Sequence, residues 1–263
     1  NMTAMTCHKR NTDNLKRTIP DISMSNTPCF HHTAIEAVHL YKTVADATDT
    51  LAILHDIHFS IPVNETVAII GASGSGKTTL LSLLAGLDTP TSGTVRLCGI
   101  DIFAMSEDER AMLRKKMLGF VFQSFQLLPH LTALENVMLP LELQGVPHAA
   151  SRALSFLKRV GLSSRTQHYP RYLSGGEQQR IVLARAFLKN APIIVLDEAT
   201  AFADPENEHL IQQALKELTK GKTVLMIAHR LSSITDADNI LVIDKGKVPE
   251  QRRSETRPIQ PEI

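Results

Sequence analysis

The chain has no excess of either charge, few cysteines and no long apolar run, and each absence removes a class of function. Lys+Arg 28 against Asp+Glu 27 leaves a formal charge of +1, so composition implies no bulk attraction to nucleic acid or to an anionic membrane surface. The three cysteines, Cys7, Cys29 and Cys98, are odd in number and show no metal-ligand spacing. That usage fits a reducing, cytosolic compartment better than a disulfide scaffold. No apolar run approaches the roughly 20 residues of a membrane helix, and the N-terminus lacks the apolar core of a signal peptide. Work at a membrane would therefore need another chain. No internal repeat is present. What remains is a chain of 263 residues, 43% hydrophobic and 21% charged, long enough for one large globular domain or two small ones.

Residues 1–33 mix Asn, Thr, Ser and Pro without periodicity and are expected to form a disordered leader. Two half-buried antiparallel strands are predicted next, around Ile35-Glu36-Ala37-Val38 and over residues 54–61. The β-branched run Thr66-Val67-Ala68-Ile69-Ile70 then leads into Gly71, and residues 77–85 read as a helix closed by Gly86. Ser106-Glu107-Asp108-Glu109 fits a capping box that starts a helix reaching about Met117, followed by a strand at residues 119–122 that ends at Gln123. Residues 132–160 are helical in pattern, with breaks at Pro140 and at Gly145-Val146-Pro147. Beyond them the pattern predicts helices over 178–188 and 206–218 and strands over 192–196, 223–228 and 239–244. The tail from Pro249 is expected to be disordered. Strands alternating with helices imply a mostly parallel sheet covered on both faces.

Two segments carry chemistry. In Gly71-Ala72-Ser73-Gly74-Ser75-Gly76-Lys77-Thr78 the glycines let backbone N–H groups turn inward around phosphate oxygens, and the helix that follows offers its positive end. Lys77 reaches the β and γ phosphates and the Thr78 hydroxyl suits Mg²⁺. The bland reading, a Gly/Ser turn that matches by chance, is weakened by the strand before it and the helix after it. Asp197-Glu198 ends an apolar strand, where parallel-sheet proteins bind ligands. There Asp197 can hold Mg²⁺ through water while Glu198 orients and deprotonates an attacking water. Standing alone, such a pair is as often an acidic turn. A second glycine-bearing loop, Leu173-Ser174-Gly175-Gly176-Glu177, opens another helix and is a spare anion cradle, since one nucleotide needs only one.

In their order and spacing these segments, together with Gln123, Asp204 and His229, closely resemble the nucleotide-binding subunits of ATP-binding-cassette (ABC) transporters over about residues 34–248. The resemblance implies an α/β P-loop NTPase with a mostly parallel core sheet, an antiparallel β subdomain and a helical subdomain at about 124–175. It implies that residues 71–78 and Thr79 bind ATP, that Thr78, Gln123 and Asp197 serve Mg²⁺, and that Lys77, Gln123, Glu198 and His229 act in hydrolysis. Ser174, Gly175, Gly176 and Glu177 would meet ATP held by a second subunit, with Asp204 at the seam of the pair. The partners implied are a second ATPase subunit and transmembrane permease subunits at the cytoplasmic face of the membrane, and no nucleic acid.

The chain departs from the family pattern in two places. The aromatic residue that stacks on adenine aligns with Val44, with Tyr41 three residues early, so Tyr41 is read either as an adenine contact or as a core strand residue. Up to about Arg185, the segments 122–129 and 131–137 are similar to the separate ATPase subunits of lipoprotein-release and macrolide-type export complexes. Farther on, Asp197-Glu198-Ala199-Thr200 and Ala228-His229-Arg230-Leu231-Ser232 look like the cassettes of fused exporters. Phe125, Leu127 and Leu128 are read either as core or as a groove that receives a helix of a membrane subunit. His31-His32 has no third ligand at sensible spacing. The alternatives carried are a non-transport ABC ATPase of repair or ribosomal type, and a recombined fragment that binds ATP without productive hydrolysis.

Overall fold

The computed structural model describes residues 32–45, 50–122, 124–197, 205–228 and 237–253. Its centre is a six-stranded sheet in the order β10-β9-β3-β8-β7-β6. Here β3 is Thr66–Ile70, β6 Leu118–Val121, β7 Ile193–Asp197, β8 Thr223–Ile227, β9 Asn239–Asp244 and β10 Lys247–Arg253. The pairs from β9 through β6 are parallel. Unlike a half-solvated strand, β7 is apolar at every position from Ile193 to Leu196, and all four side chains are buried. Each contributes roughly 1.5–3 kcal/mol of burial relative to exposure, which is why a continuous apolar run reads as a strand covered on both faces.

A second sheet, antiparallel, runs β2-β1-β4-β5. It consists of β1 (Thr33–Ala45), β2 (Thr50–Pro62), β4 (Ser92–Leu97) and the short β5 (Ile100–Asp101). Its inner face, with Ile35, Leu40, Leu54, Ile57 and Leu97, shares one apolar cluster with Val67 and Ile69 of β3 and with the leucines of α1 (Lys77–Leu84). The antiparallel sheet is thus packed against the strand that delivers the phosphate-binding loop.

The remaining helices are α2 (Glu107–Met117), α3 (Ala133–Glu142), α4 (Ala149–Arg159), α5 (Gly175–Lys189) and α6 (Pro205–Thr219). Ser106 and Glu109 close the expected capping box on α2. Helix α5 joins two layers. Its Ile181, Ala184 and Leu188, spaced by about one turn, pack against α3 and α4, while Val182, Leu183 and Ala186 pack into the cluster of β6, β7 and α6.

Four expectations need correction. Pro140 does not break α3, which runs on to Glu142; the proline forfeits only the bond that its own N–H would have made one turn back. Helix α5 starts at Gly175 rather than at 178, because Ser174 and Glu177 form a capping box. The tail is a strand through Arg253: β10 is the edge of the sheet and has a register shift between Lys247 and Glu250, and an edge or a bulge tolerates Pro249. Finally, Cys98 is disulfide-bonded, against the expectation of reduced thiols. It lies in the β4–β5 turn with its N–H donating to the carbonyl of Ala34. Cys7 and Cys29, and residues 1–31 and 254–263 as a whole, lie outside the described residues.

Candidate nucleotide site

Strand β3 ends at Ile70, and the loop from Gly71 to Gly76 leads directly into α1. The N-cap, Gly76, is left-handed and offers no side-chain cap, so the first N–H groups of α1 lack the partner that Ser, Thr or Asp would supply. That end of the helix is suited to an anion. Lys77 is 7% exposed, and its ammonium spans the loop, donating to the carbonyls of Gly71 at 3.0 Å and Ala72 at 2.8 Å. Among the described residues the buried Ser75 Oγ has no hydrogen-bond partner, and a phosphate oxygen would satisfy it. Thr78 is exposed and Thr79 half-buried at the loop mouth, as are Ala72, Ser73 and Gly74 exposed around it.

The loop is braced from behind. A Cβ on Gly71 would lie 2.2 Å from the Ile243 carbonyl, so only glycine allows β9 to approach this closely. The N–H of Gly246, in the β9–β10 turn, donates to the carbonyl of Ser75 at 3.1 Å, and its own carbonyl accepts from His55 of β2 at 2.7 Å. One turn therefore ties the loop to both sheets.

Sheet register brings the other chemistry level with this loop. Ile69 of β3 pairs with Ile227 of β8, and Ile227 pairs with Asp197 of β7. Leu196 in turn pairs with Val121 of β6. Asp197, the residue after Ile70, and the chain leaving β6 and β8 thus emerge along one edge, the carboxyl ends of four parallel strands. Gln123, Glu198, Asp204 and His229, expected in this site, lie outside the described residues.

At the start of α5, Ser174 Oγ accepts from the Glu177 N–H at 3.2 Å, and the Glu177 carboxylate accepts from the Ser174 N–H at 2.9 Å. Arg165 donates to the other Glu177 oxygen at 3.1 Å. Burial raises the Glu177 pKa, but the Ser174 N–H and the Arg165 guanidinium outweigh it and hold the carboxyl below its ordinary value. The Glu177 carboxylate, expected to meet the ATP of a second subunit, closes the capping box of its own helix. Gly175 is exposed and Gly176 buried at the helix end.

Tyr41 is 38% exposed and Val44 45%, so Tyr41 is not a core residue. Its carbonyl accepts from the Thr91 N–H. Phe125 and Leu127 pack against the buried clusters, whereas Leu128 is 45% exposed, which splits that apolar segment between its two readings. Two residues of this segment's support are not apparent from sequence. Fully buried Asn136 accepts from the Leu128 N–H at 2.8 Å and donates to the carbonyls of Leu128, Leu131 and Thr132. Arg185 of α5 donates to the carbonyls of Phe125 and Gln126. A polar residue at an inward helical position was the available signal for each.

The family model for ABC transporters matches residues 54–201. The ATP-binding protein YbbA of Escherichia coli, an uncharacterised ABC transporter component, is 43% identical over 221 residues, covering 82% of this chain and 97% of its own length. The lipoprotein-releasing system ATP-binding protein LolD of Pseudomonas syringae is 41% identical over 81% of this chain and 95% of its own. The macrolide export ATP-binding/permease protein MacB of Chlorobaculum tepidum is 38% identical over 87% of this chain, which spans 36% of that longer protein. Among solved structures, the dimeric ATP-binding cassette MJ0796 in a post-hydrolysis state with ADP and Pi superposes with a TM-score of 0.79 at 35% identity, covering 86% of this chain and all of that one. The chain belongs to the ABC transporter family, as one of its ATP-binding and ATP-hydrolysing subunits.

Proposed function

We propose that the chain powers export through separate membrane-spanning subunits, working as one of a pair of ATPase subunits at the cytoplasmic face of the membrane. The observation that carries this reading is the common level of Ile69, Ile227 and Asp197 across three adjacent strands, which puts the phosphate loop and the acidic strand end on one edge. Parallel-sheet proteins use that edge for ligands. The orphaned Ser75 hydroxyl and the uncapped start of α1 fit phosphate, and the exposed Thr78 hydroxyl with the Asp197 carboxylate supplies the hard oxygen donors that Mg²⁺ prefers.

In this reading the loop N–H groups and Lys77 hold the β and γ phosphates. Thr78 and Asp197, with Gln123, hold Mg²⁺, which when bound neutralises charge on the phosphate oxygens. Glu198 takes the proton of the attacking water, and His229 contacts the γ-phosphate. Ser174, Gly175 and Gly176 present the N–H-rich start of α5 to the ATP of the partner copy, with Asp204 at the seam, and Tyr41 borders the adenine. Closure of the pair on ATP drives the membrane subunits, and hydrolysis reopens it.

The names of the relatives, a lipoprotein-releasing system and a macrolide exporter, and the dimeric state of MJ0796 support export and pairing. We further infer that the fused-exporter flavour of residues 197–200 and 228–232 leaves this chemistry intact. Phosphate release by the purified chain tests the reading, together with loss of fluorescent-ATP binding in Lys77→Ala. A wild-type chain that releases no phosphate, or Lys77→Ala that binds as wild type, would overturn it.

A further inference from the structure

Phe125 and Gln126 both have left-handed backbones, with φ of 58° and 46°. Among the described residues no other two consecutive non-glycine residues do so. Side chains with a Cβ resist this conformation, and it persists where the surroundings impose it. Two N–H bonds fold the turn, from Phe125 to the Phe122 carbonyl at 3.1 Å and from Gln126 to the Ser124 carbonyl at 2.6 Å. The carbonyls of the same two residues face Arg185, whose Nη2 donates to Phe125 and Nη1 to Gln126, both at 3.1 Å. Among the described residues Arg185 has no carboxylate within ion-pair reach, and Lys189, one turn along α5, adds a like charge. A cation placed there without an acid makes sense if its planar fork is spent on the two carbonyls.

We propose that Arg185 is a positioning residue: its fork imposes the left-handed Phe125-Gln126 turn and thereby fixes the segment leaving β6 relative to α5. Helix α5 is capped by Ser174 and carries Arg185 about three turns later, so a displacement of the Ser174 end reaches the Phe125-Gln126 turn through one rigid element. The functional consequence rests on the ATPase reading above, while the structural part does not. Lysine keeps the charge but lacks the planar fork whose two Nη atoms hold the two carbonyls in fixed relation, and glycine at 126 adopts the turn without help.

Hydrogen exchange separates the two levels. In Arg185→Lys, amides 125–128 should exchange at least about tenfold faster, as for a local opening made easier, with the rest of α5 unchanged. ATP turnover in the same variant should fall about 10- to 100-fold with fluorescent-ATP affinity retained, the scale of a misplacement remote from the chemistry. Adding Gln126→Gly should restore a large part of the turnover. Gln126→Pro, which leaves Arg185 in place but forbids positive φ, should reproduce the loss. Unchanged exchange at 125–128 in Arg185→Lys, wild-type turnover in Gln126→Pro, or no recovery in the double variant would each overturn the assignment. A wild-type chain without ATPase activity but with the predicted exchange would instead remove the transport reading and keep the clamp.

Discussion

The backbone N–H of Gly246 donates to the carbonyl of Ser75 at 3.1 Å, so a turn distant in sequence forms the floor of the phosphate-binding loop. A Cβ on Gly246 would lie 2.2 Å from the Ile53 carbonyl, and the residue has a φ of 74°. Gly246→Ala therefore meets backbone that cannot give way, at a cost of about 1–3 kcal/mol. Denaturant unfolding should show that loss, and fluorescent-ATP titration should show weaker binding. Affinity and stability both at wild-type values would mean that the turn supports nothing.

How much of this was legible from residues alone depends on where the supporting contacts come from. The phosphate loop, β3, β7 and the cap of α2 are local in cause, each set by glycines, an apolar run or a Ser-to-Glu spacing. The Ser174 and Thr132 capping boxes have the same Ser/Thr-x-x-Glu spacing as Ser106, but Gly175 and Gly176, poor helix formers, hide the true first turn of α5 from a propensity reading. The Gly246 floor, the Asn136 staple and the Arg185 clamp join residues far apart in sequence, and no local pattern specifies them. Strand β4 opens on Ser, Gly and Thr and β5 has only two residues, too little pattern to read as strands, yet they complete a sheet whose register is set by β1.

Lys189 supplies a prediction at alkaline pH. Burial, and then the neighbouring Arg185, push its ammonium down to about 8. Between that value and the ordinary lysine pKa near 10.4 the unfolded chain binds the proton that the folded chain has released, so stability rises with pH across that window. Urea melts between pH 7.5 and 10 should show the rise in wild type and its loss in Lys189→Met. An identical slope in the two proteins would contradict the burial of the charge.

The cap of α5 makes a prediction at acid pH. Glu177 has a depressed pKa through the Ser174 N–H and Arg165, against burial, so its stabilising contribution is present above the unfolded value near 4.3 and is lost as pH falls through the folded one. Solvent screening keeps the effect small. Ser174→Ala should cost about 1 kcal/mol, the usual loss of a side-chain cap. Glu177→Gln should flatten the fall in stability between pH 5 and 3, as read by chemical denaturation. A fall of unchanged size would place the titration elsewhere.

Gly71 and Asp197 share the edge at which ATP is proposed to bind, and Glu198 is the residue proposed to take the proton of the attacking water. The most direct test is steady-state phosphate release by Glu198→Gln against wild type at matched, saturating ATP. The expected result is turnover slowed about 10²- to 10⁴-fold, the usual scale for a general base, with fluorescent-ATP affinity unchanged. Turnover at the wild-type rate would contradict the account.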